Sequence, residues 1–203
     1  GGPAHTVLAD IYPQAVGEQR GRILTVLGRE LSPDSIPVMV AALLAPDLTD
    51  TAAALLESAR DRITPAMAKL LRTSLQKRLD ETVAPSIVAR VMSVLAAVDA
   101  KGSKALFLKK IEPGVAAQIR AAAFRGLRGV ELTPLQTKAM MASLEDNTQK
   151  GVHEAIREVL FSLPELPAGL APGLKRLLAS RQPEQRLFAL NLLRQELSNY
   201  FRT

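Results

Sequence analysis

A pattern that returns about every 33 residues constrains this chain most. A basic residue followed three positions later by a small or apolar one stands at Arg20…Ile23, more weakly at Ala54…Glu57, then at Arg90…Ser93, Arg120…Ala123, His153…Ile156 and Arg186…Ala189. The successive spacings are 34, 36, 30, 33 and 33 residues. A period of this length, with two helices in each period, marks an α-solenoid, in which each unit buries its apolar face against its neighbours. The expectation is therefore an all-α chain, a right-handed superhelix of about six antiparallel helix pairs running as one domain over residues 1–203.

Helix signals fill those six pairs. The first reads as 4–12 and 14–31, with Ile23, Leu24, Leu27 and Leu31 as the apolar stripe of its second helix. The second reads as 34–45 and 48–62, with Thr49 or Asp50 expected to cap the later helix. The third opens at Thr64-Pro65, a cap with proline at the first helical position. Its stripe is Met67, Leu70, Leu71, Leu75 and Leu79. The partner helix starts near Pro85-Ser86 and offers Ile87, Val88, Val91, Val94, Leu95 and Val98. The fourth pair spans 102–111 and 113–129, where Gly126 and Gly129 allow close packing or begin the helix end. The fifth opens at Thr133-Pro134 and continues over 148–163. The sixth spans 170–179 and 183–199, after the segment Leu163-Pro164-Glu165-Leu166-Pro167, the best candidate hinge. Ala123 and Ala189 hold the small position of the repeat, where helices should approach closely.

Composition agrees with packed helices. Hydrophobic residues make up 47%, and they are aliphatic: there are five Phe, two Tyr and no Trp, too few aromatics for a sheet protein. The absence of Cys excludes disulfides, thiolate metal sites and cysteine nucleophiles. The longest apolar runs, such as 36–45, are too short to span a bilayer. No signal peptide is visible, and a Cys-free chain suits cytosol and periplasm alike, so the compartment is not fixed, with a cytoplasmic setting the expectation for this stretch. Gly1-Gly2 reads as a cloning remnant, and the ending Phe201-Arg202-Thr203, still helical in character, as that of a fragment of a longer protein. Charge is uneven. Residues 1–59 hold 3 Lys/Arg against 7 Asp/Glu, residues 60–128 hold 14 against 5, and residues 129–203 hold 9 against 8. The central block would draw anionic partners unless its cations are simply solvated helix faces.

The stretch Ile119-Arg120-Ala121-Ala122-Ala123-Phe124-Arg125-Gly126-Leu127 resembles the second helix of HEAT repeats. There an apolar residue and an arginine are followed by Ala and then Leu. Gln185-Arg186-Leu187-Phe188-Ala189-Leu190-Asn191-Leu192-Leu193 is similar to the same element, and Ala89-Arg90 with Ser93 and Ala97 is a looser copy. The resemblance covers about 60–200. It implies a HEAT-like solenoid in which such arginines bond an aspartate near the turn between paired helices, forming a ladder. Ala117, Pro183 and Ser86 stand just before these arginines instead, so some of them are expected to face a partner. HEAT-like arrays serve adaptors, nuclear transport, phosphatase scaffolds, bilin lyases and DNA repair, so the resemblance speaks to fold more than to activity.

No catalytic, cofactor or metal constellation is legible. Walker and dinucleotide glycine loops and His-Glu-x-x-His are absent. His153 reads as a structural replacement for the repeat arginine, and His5 lies beside the N-terminal remnant. Lys101-Gly102-Ser103-Lys104 is a basic turn without the strand and glycines of a phosphate cradle. The carboxylate pairs Asp80-Glu81 and Glu145-Asp146 fall at helix ends, where capping is the ordinary role. The leading expectation is a non-catalytic scaffold that binds a protein or acidic peptide through Arg90, Arg120, Arg125, Arg128 and Arg186. Arg120 and Arg128 are expected to share one helix face. The alternative is nucleic-acid binding through 60–128, with Lys69, Arg72, Lys77, Arg78, Lys104, Lys109 and Lys110 on phosphates. Within it falls a HEAT-like DNA glycosylase reading, which the scarcity of stacking aromatics opposes.

Overall fold

The computed structural model describes residues 2–79, 84–146, 149–163 and 170–200. The described residues form twelve α-helices: α1 Pro3–Ile11, α2 Glu18–Arg29, α3 Ile36–Leu43, α4 Thr49–Ser58, α5 Pro65–Leu79, α6 Pro85–Asp99, α7 Lys104–Lys110, α8 Ala117–Gly126, α9 Pro134–Asp146, α10 Lys150–Phe161, α11 Ala171–Leu178 and α12 Pro183–Tyr200. Helix accounts for 78% and no strand occurs among the described residues. Ordinary globular domains hold about 30–35%. The all-α expectation therefore stands. Asp80-Glu81 and the hinge candidate at 164–167 lie outside the described residues, as do the side chains of Glu145 and Asp146.

Helix starts follow the sequence signals. Thr64 Oγ1 accepts the Met67 backbone N–H at 3.3 Å. At Thr133 the bond is reciprocal: Gln136 Oε1 accepts from the Thr133 N–H at 3.0 Å, and Thr133 Oγ1 accepts from the Gln136 N–H at 3.3 Å. This capping box satisfies donors that the first helical turn leaves open. The expected cap at α4 differs. Thr49 already lies in the helix, and its Oγ1 donates to the Ala45 carbonyl at 2.8 Å.

Two compact units form, residues 1–126 and 127–203. In the first, α1 packs on α2, α3 on α4, α5 on α6 and α7 on α8. Helices two places apart also touch: α2 with α4, α4 with α6, α6 with α8, and α3 with α5. In the second, α9 packs on α10 and α11 on α12, and α9 also meets α11 and α10 meets α12. The core is aliphatic. Leu24, Leu27, Met39, Leu43, Leu56, Leu71, Leu75, Met92 and Leu95 are fully buried in the first unit, and Ala155, Ile156, Val159 and Leu160 in the second. Each large side chain buried in this way stabilises by about 1.5–3 kcal/mol. Ala123 and Ala189, expected where helices approach closely, are fully buried.

Four contacts join residues 33 or 34 apart in sequence. Arg62 Nη1 donates to the Arg29 carbonyl, Arg90 pairs with Glu57, and the Gly129 N–H donates to Ser162 Oγ at 3.3 Å, each across 33 residues. Gln195 Nε2 donates to the Phe161 carbonyl at 2.9 Å across 34.

The helix at the centre of the HEAT resemblance is shorter than its pattern. α8 ends at Gly126, and Leu127–Gly129 form a turn with Gly129 at φ +70°. A Cβ on Gly126 would lie 2.7 Å from the Phe107 ring. That glycine is required by close packing between α7 and α8.

Candidate partner-binding surface

The repeat arginines are used internally. Arg20 Nε donates to the Ala15 carbonyl at 2.8 Å, Arg120 Nε to Ile111 O at 3.1 Å, and Arg186 Nη1 to Ser180 O at 2.8 Å and Arg181 O at 3.1 Å. In all three cases the acceptor lies in the turn leading into the arginine's own helix. A cation there meets carbonyls left open where the preceding helix or turn ends. Each of these three arginines thus bonds backbone rather than an aspartate. Burial lowers the Arg120 pKa from the ordinary guanidinium value, and the group stays charged.

Arg90 takes a different partner. Its Nη1 and Nη2 donate to Glu57 Oε1 and Oε2 at 2.7 and 3.2 Å, and its Nε lies 3.4 Å from Asp50 Oδ1. Arg72 is also engaged, donating from Nη1 to Asp99 Oδ2. Asp99 Oδ1 in turn accepts the Gly102 N–H at 3.2 Å, so the basic turn 101–104 is held by an acid and does not present its amides to a phosphate. Glu57 and Asp99 are the residues that sequence reasoning missed. The signal for Glu57 was its offset of one period from Arg90; for Asp99 no repeat signal exists.

What remains exposed is a face of α5. Met67, Ala68, Leu71, Leu75 and Leu79 are buried. Lys69, Thr73 and Lys77, four residues apart, therefore fall on the opposite side, with Leu70 beside Lys69. Leu70, expected in the core stripe, is 41% exposed. Lys69, Lys77 and Arg78 are exposed and form no ion pair among the described residues. Lys77 and Arg78 also suit the C-terminal end of the α5 dipole. Arg125 lies exposed on α8, whereas Arg128 is exposed in the turn after it, off the helix face it was expected to share with Arg120. Phe124, which should lie between them, is fully buried. Lys109 is exposed and Lys104 and Lys110 half-buried, all three with interactions inside the protein.

A second cluster sits between α10 and α12. The Arg157 guanidinium lies 5.1 Å from the centre of the Phe188 ring, and Phe161 meets that ring edge-on at 5.5 Å. His153, one turn before Arg157, keeps its Nε2 buried without a hydrogen bond among the described residues. Burial first, and then Arg157, lowers its pKa below the ordinary 6.5, while Glu184 raises it, so the imidazole is neutral at neutral pH.

No group of three or more His, Cys, Asp or Glu suited to a metal ion occurs among the described residues. Nor is any described helix long and apolar enough to cross a membrane. Tyr12, Phe107, Phe124 and Phe188 are buried and Phe161 is half-buried, so none is laid open as a stacking platform. Comparison with known proteins gives no family, no curated protein and no solved structure that matches the chain.

Proposed function

We propose that this chain is a non-catalytic scaffold, a HEAT-like α-solenoid, that binds an acidic protein or peptide segment. The observation that carries the repeat reading is the set of contacts between residues 33 apart, together with the packing of each helix on its pair partner and on the helix two places along. Binding is assigned to side chains the fold does not consume. Arg90 ties α6 to α4, while Arg120 and Arg186 each bond the turn that leads into their own helix. Lys69 and Lys77, set beside exposed Leu70, form the anchor surface on α5, and Arg78, on the other side of the helix from Lys69, adds positive charge at its C-terminal end. Cations flanking an exposed leucine suit an amphipathic acidic segment, whose apolar side chain covers the leucine while its carboxylates meet the ammonium groups.

Nucleic acid is the second reading, because the same cations would meet phosphates. The buried aromatics favour a protein partner, since single-stranded or flipped bases are held by stacking. Fluorescence anisotropy with a labelled polyglutamate peptide and a labelled DNA duplex separates the two. The scaffold reading expects saturable peptide binding that persists at physiological salt. Binding of the duplex alone, with log K falling by about 0.9 per contacted phosphate against log salt, would replace it.

A further inference from the structure

Six arginines among the described residues are half-buried: Arg20, Arg72, Arg90, Arg120, Arg157 and Arg186. Five of them have acceptors inside the fold. Arg72 and Arg90 meet carboxylates, and Arg20, Arg120 and Arg186 meet backbone carbonyls. Arg157 is the exception. Its Nε is buried without a hydrogen bond, and no carboxylate lies within ion-pair distance of its guanidinium among the described residues. Glu154, on the same helix, lies 4.0 Å from the Lys150 ammonium instead. A cation drawn partly out of water is ordinarily paired, because it loses hydration that nothing else replaces.

What fixes Arg157 is aromatic. Its guanidinium lies 5.1 Å from the centre of the buried Phe188 ring, and Phe161 braces that ring edge-on at 5.5 Å. A cation over a ring is held by its charge, so the N–H donors of the guanidinium are not used up. Of its nitrogens Nε alone is both buried and unbonded, which leaves Nη1 and Nη2 within reach of solvent. Those two nitrogens form a planar fork that suits two oxygens of one anion. His153, one turn earlier on the same face, is neutral and adds no charge. The site therefore carries one positive charge. A carboxylate matches it, whereas a phosphate group, with close to two negative charges, leaves one unmatched.

We infer that Arg157, held over Phe188 between α10 and α12, is a receptor for one side-chain carboxylate of a bound acidic segment. The aromatic pair sets the guanidinium before the ligand arrives, so little side-chain freedom is lost on binding. This rests on the reading of an acidic partner and adds a second anchor to it. The anchor belongs to the unit 127–203, whereas α5 belongs to the unit 1–126.

Nuclear magnetic resonance of the arginine Nε–H groups in the intact chain reads the site directly. The buried Nε–H of Arg157 is shielded from exchange with water, and its loss in Arg157→Lys identifies it. Sodium acetate, compared with sodium chloride at equal ionic strength, should shift that resonance and leave those of exposed arginines in place. Anisotropy with an end-blocked polyglutamate peptide then measures the contribution to binding. Arg157→Gln and Arg157→Lys should each bind at least about tenfold more weakly, since an ammonium keeps the charge and loses the fork. Lys175→Gln removes an exposed charge from the same unit and should bind as wild type. Circular dichroism and melting temperature verify that each variant is folded at the assay temperature. An Arg157→Lys variant that binds as wild type overturns the inference, because charge alone would then suffice, as does acetate that shifts every arginine alike. A shift with phosphate and none with acetate overturns the carboxylate assignment. Binding lost in Lys69→Glu/Lys77→Glu and kept in Arg157→Gln removes this anchor and leaves the α5 reading. The reverse pattern removes the α5 anchor and leaves this one.

Discussion

Arg90 and Glu57 form a two-pronged ion pair across one repeat period, with Nη1–Oε1 at 2.7 Å and Nη2–Oε2 at 3.2 Å. Both side chains are about a third exposed, and the pair joins α4 to α6. A forked guanidinium–carboxylate contact fixes orientation as well as energy. Arg90 is thereby a clamp between successive helix pairs, where the sequence pattern marked it as a partner contact.

Its removal should therefore cost stability. Arg90→Ala is expected to lower the unfolding free energy by about 1–3 kcal/mol, the range for losing a hydrogen bond to a charged group. Urea unfolding of Arg90→Ala, Glu57→Ala and the double variant gives the coupling directly. A favourable coupling of about 0.5 kcal/mol or more is expected. Additive single effects would mean that the two side chains do not stabilise each other in solution.

Gly126 tests the packing beneath α8. Replacing glycine by alanine within a helix ordinarily stabilises it by about 0.5–1 kcal/mol. Here the added methyl would sit 2.7 Å from the Phe107 ring, which is itself fully buried and has no room to move aside. Overpacking costs about 1–3 kcal/mol and should win. Gly126→Ala is expected to melt below wild type, and a higher melting temperature would show that α7 and α8 are further apart than described.

His153 gives a pH signature to the second unit. Its folded-state pKa lies below the ordinary 6.5, with burial the main cause and Arg157 the next, opposed by Glu184. The unfolded chain therefore binds the proton more readily than the folded one. The stability tied to the neutral imidazole is present above about pH 6.5 and is lost as pH falls through the lower folded-state value. His153→Gln should flatten that fall. Melting temperatures recorded between neutral and mildly acidic pH should differ in slope for wild type and variant, and parallel curves would contradict the assignment.

The helices were largely legible in the sequence because period and punctuation agree. Thr64-Pro65 and Thr133-Pro134 announce α5 and α9 by a cap and a proline, and the apolar spacing of 67, 71, 75 and 79 fixes the buried face. Leu70 escaped that logic: a leucine one position off the stripe has the same hydropathy, and only the neighbouring helices decide that it faces water. The arginines were legible as a repeat, but their internal bonds were not. Their acceptors at Ala15, Ile111 and Ser180 are backbone carbonyls, which carry no sequence signal. The division at residue 126 follows from Gly126 and the turn to Gly129, where the written pattern continues unbroken.

The most direct measurement sets binding against stability at the α5 surface. Polyglutamate affinity by fluorescence anisotropy, paired with melting temperature, is compared for wild type, the double variant Lys69→Glu/Lys77→Glu and Arg90→Ala. The exposed lysines should matter to the ligand alone: the double variant is expected to bind at least about tenfold more weakly, a loss of about 1.4 kcal/mol, with melting within a few degrees of wild type. Arg90→Ala should melt lower and bind as wild type while folded. Undiminished affinity in the double variant, or affinity lost only in Arg90→Ala, would contradict a scaffold that receives its partner on α5.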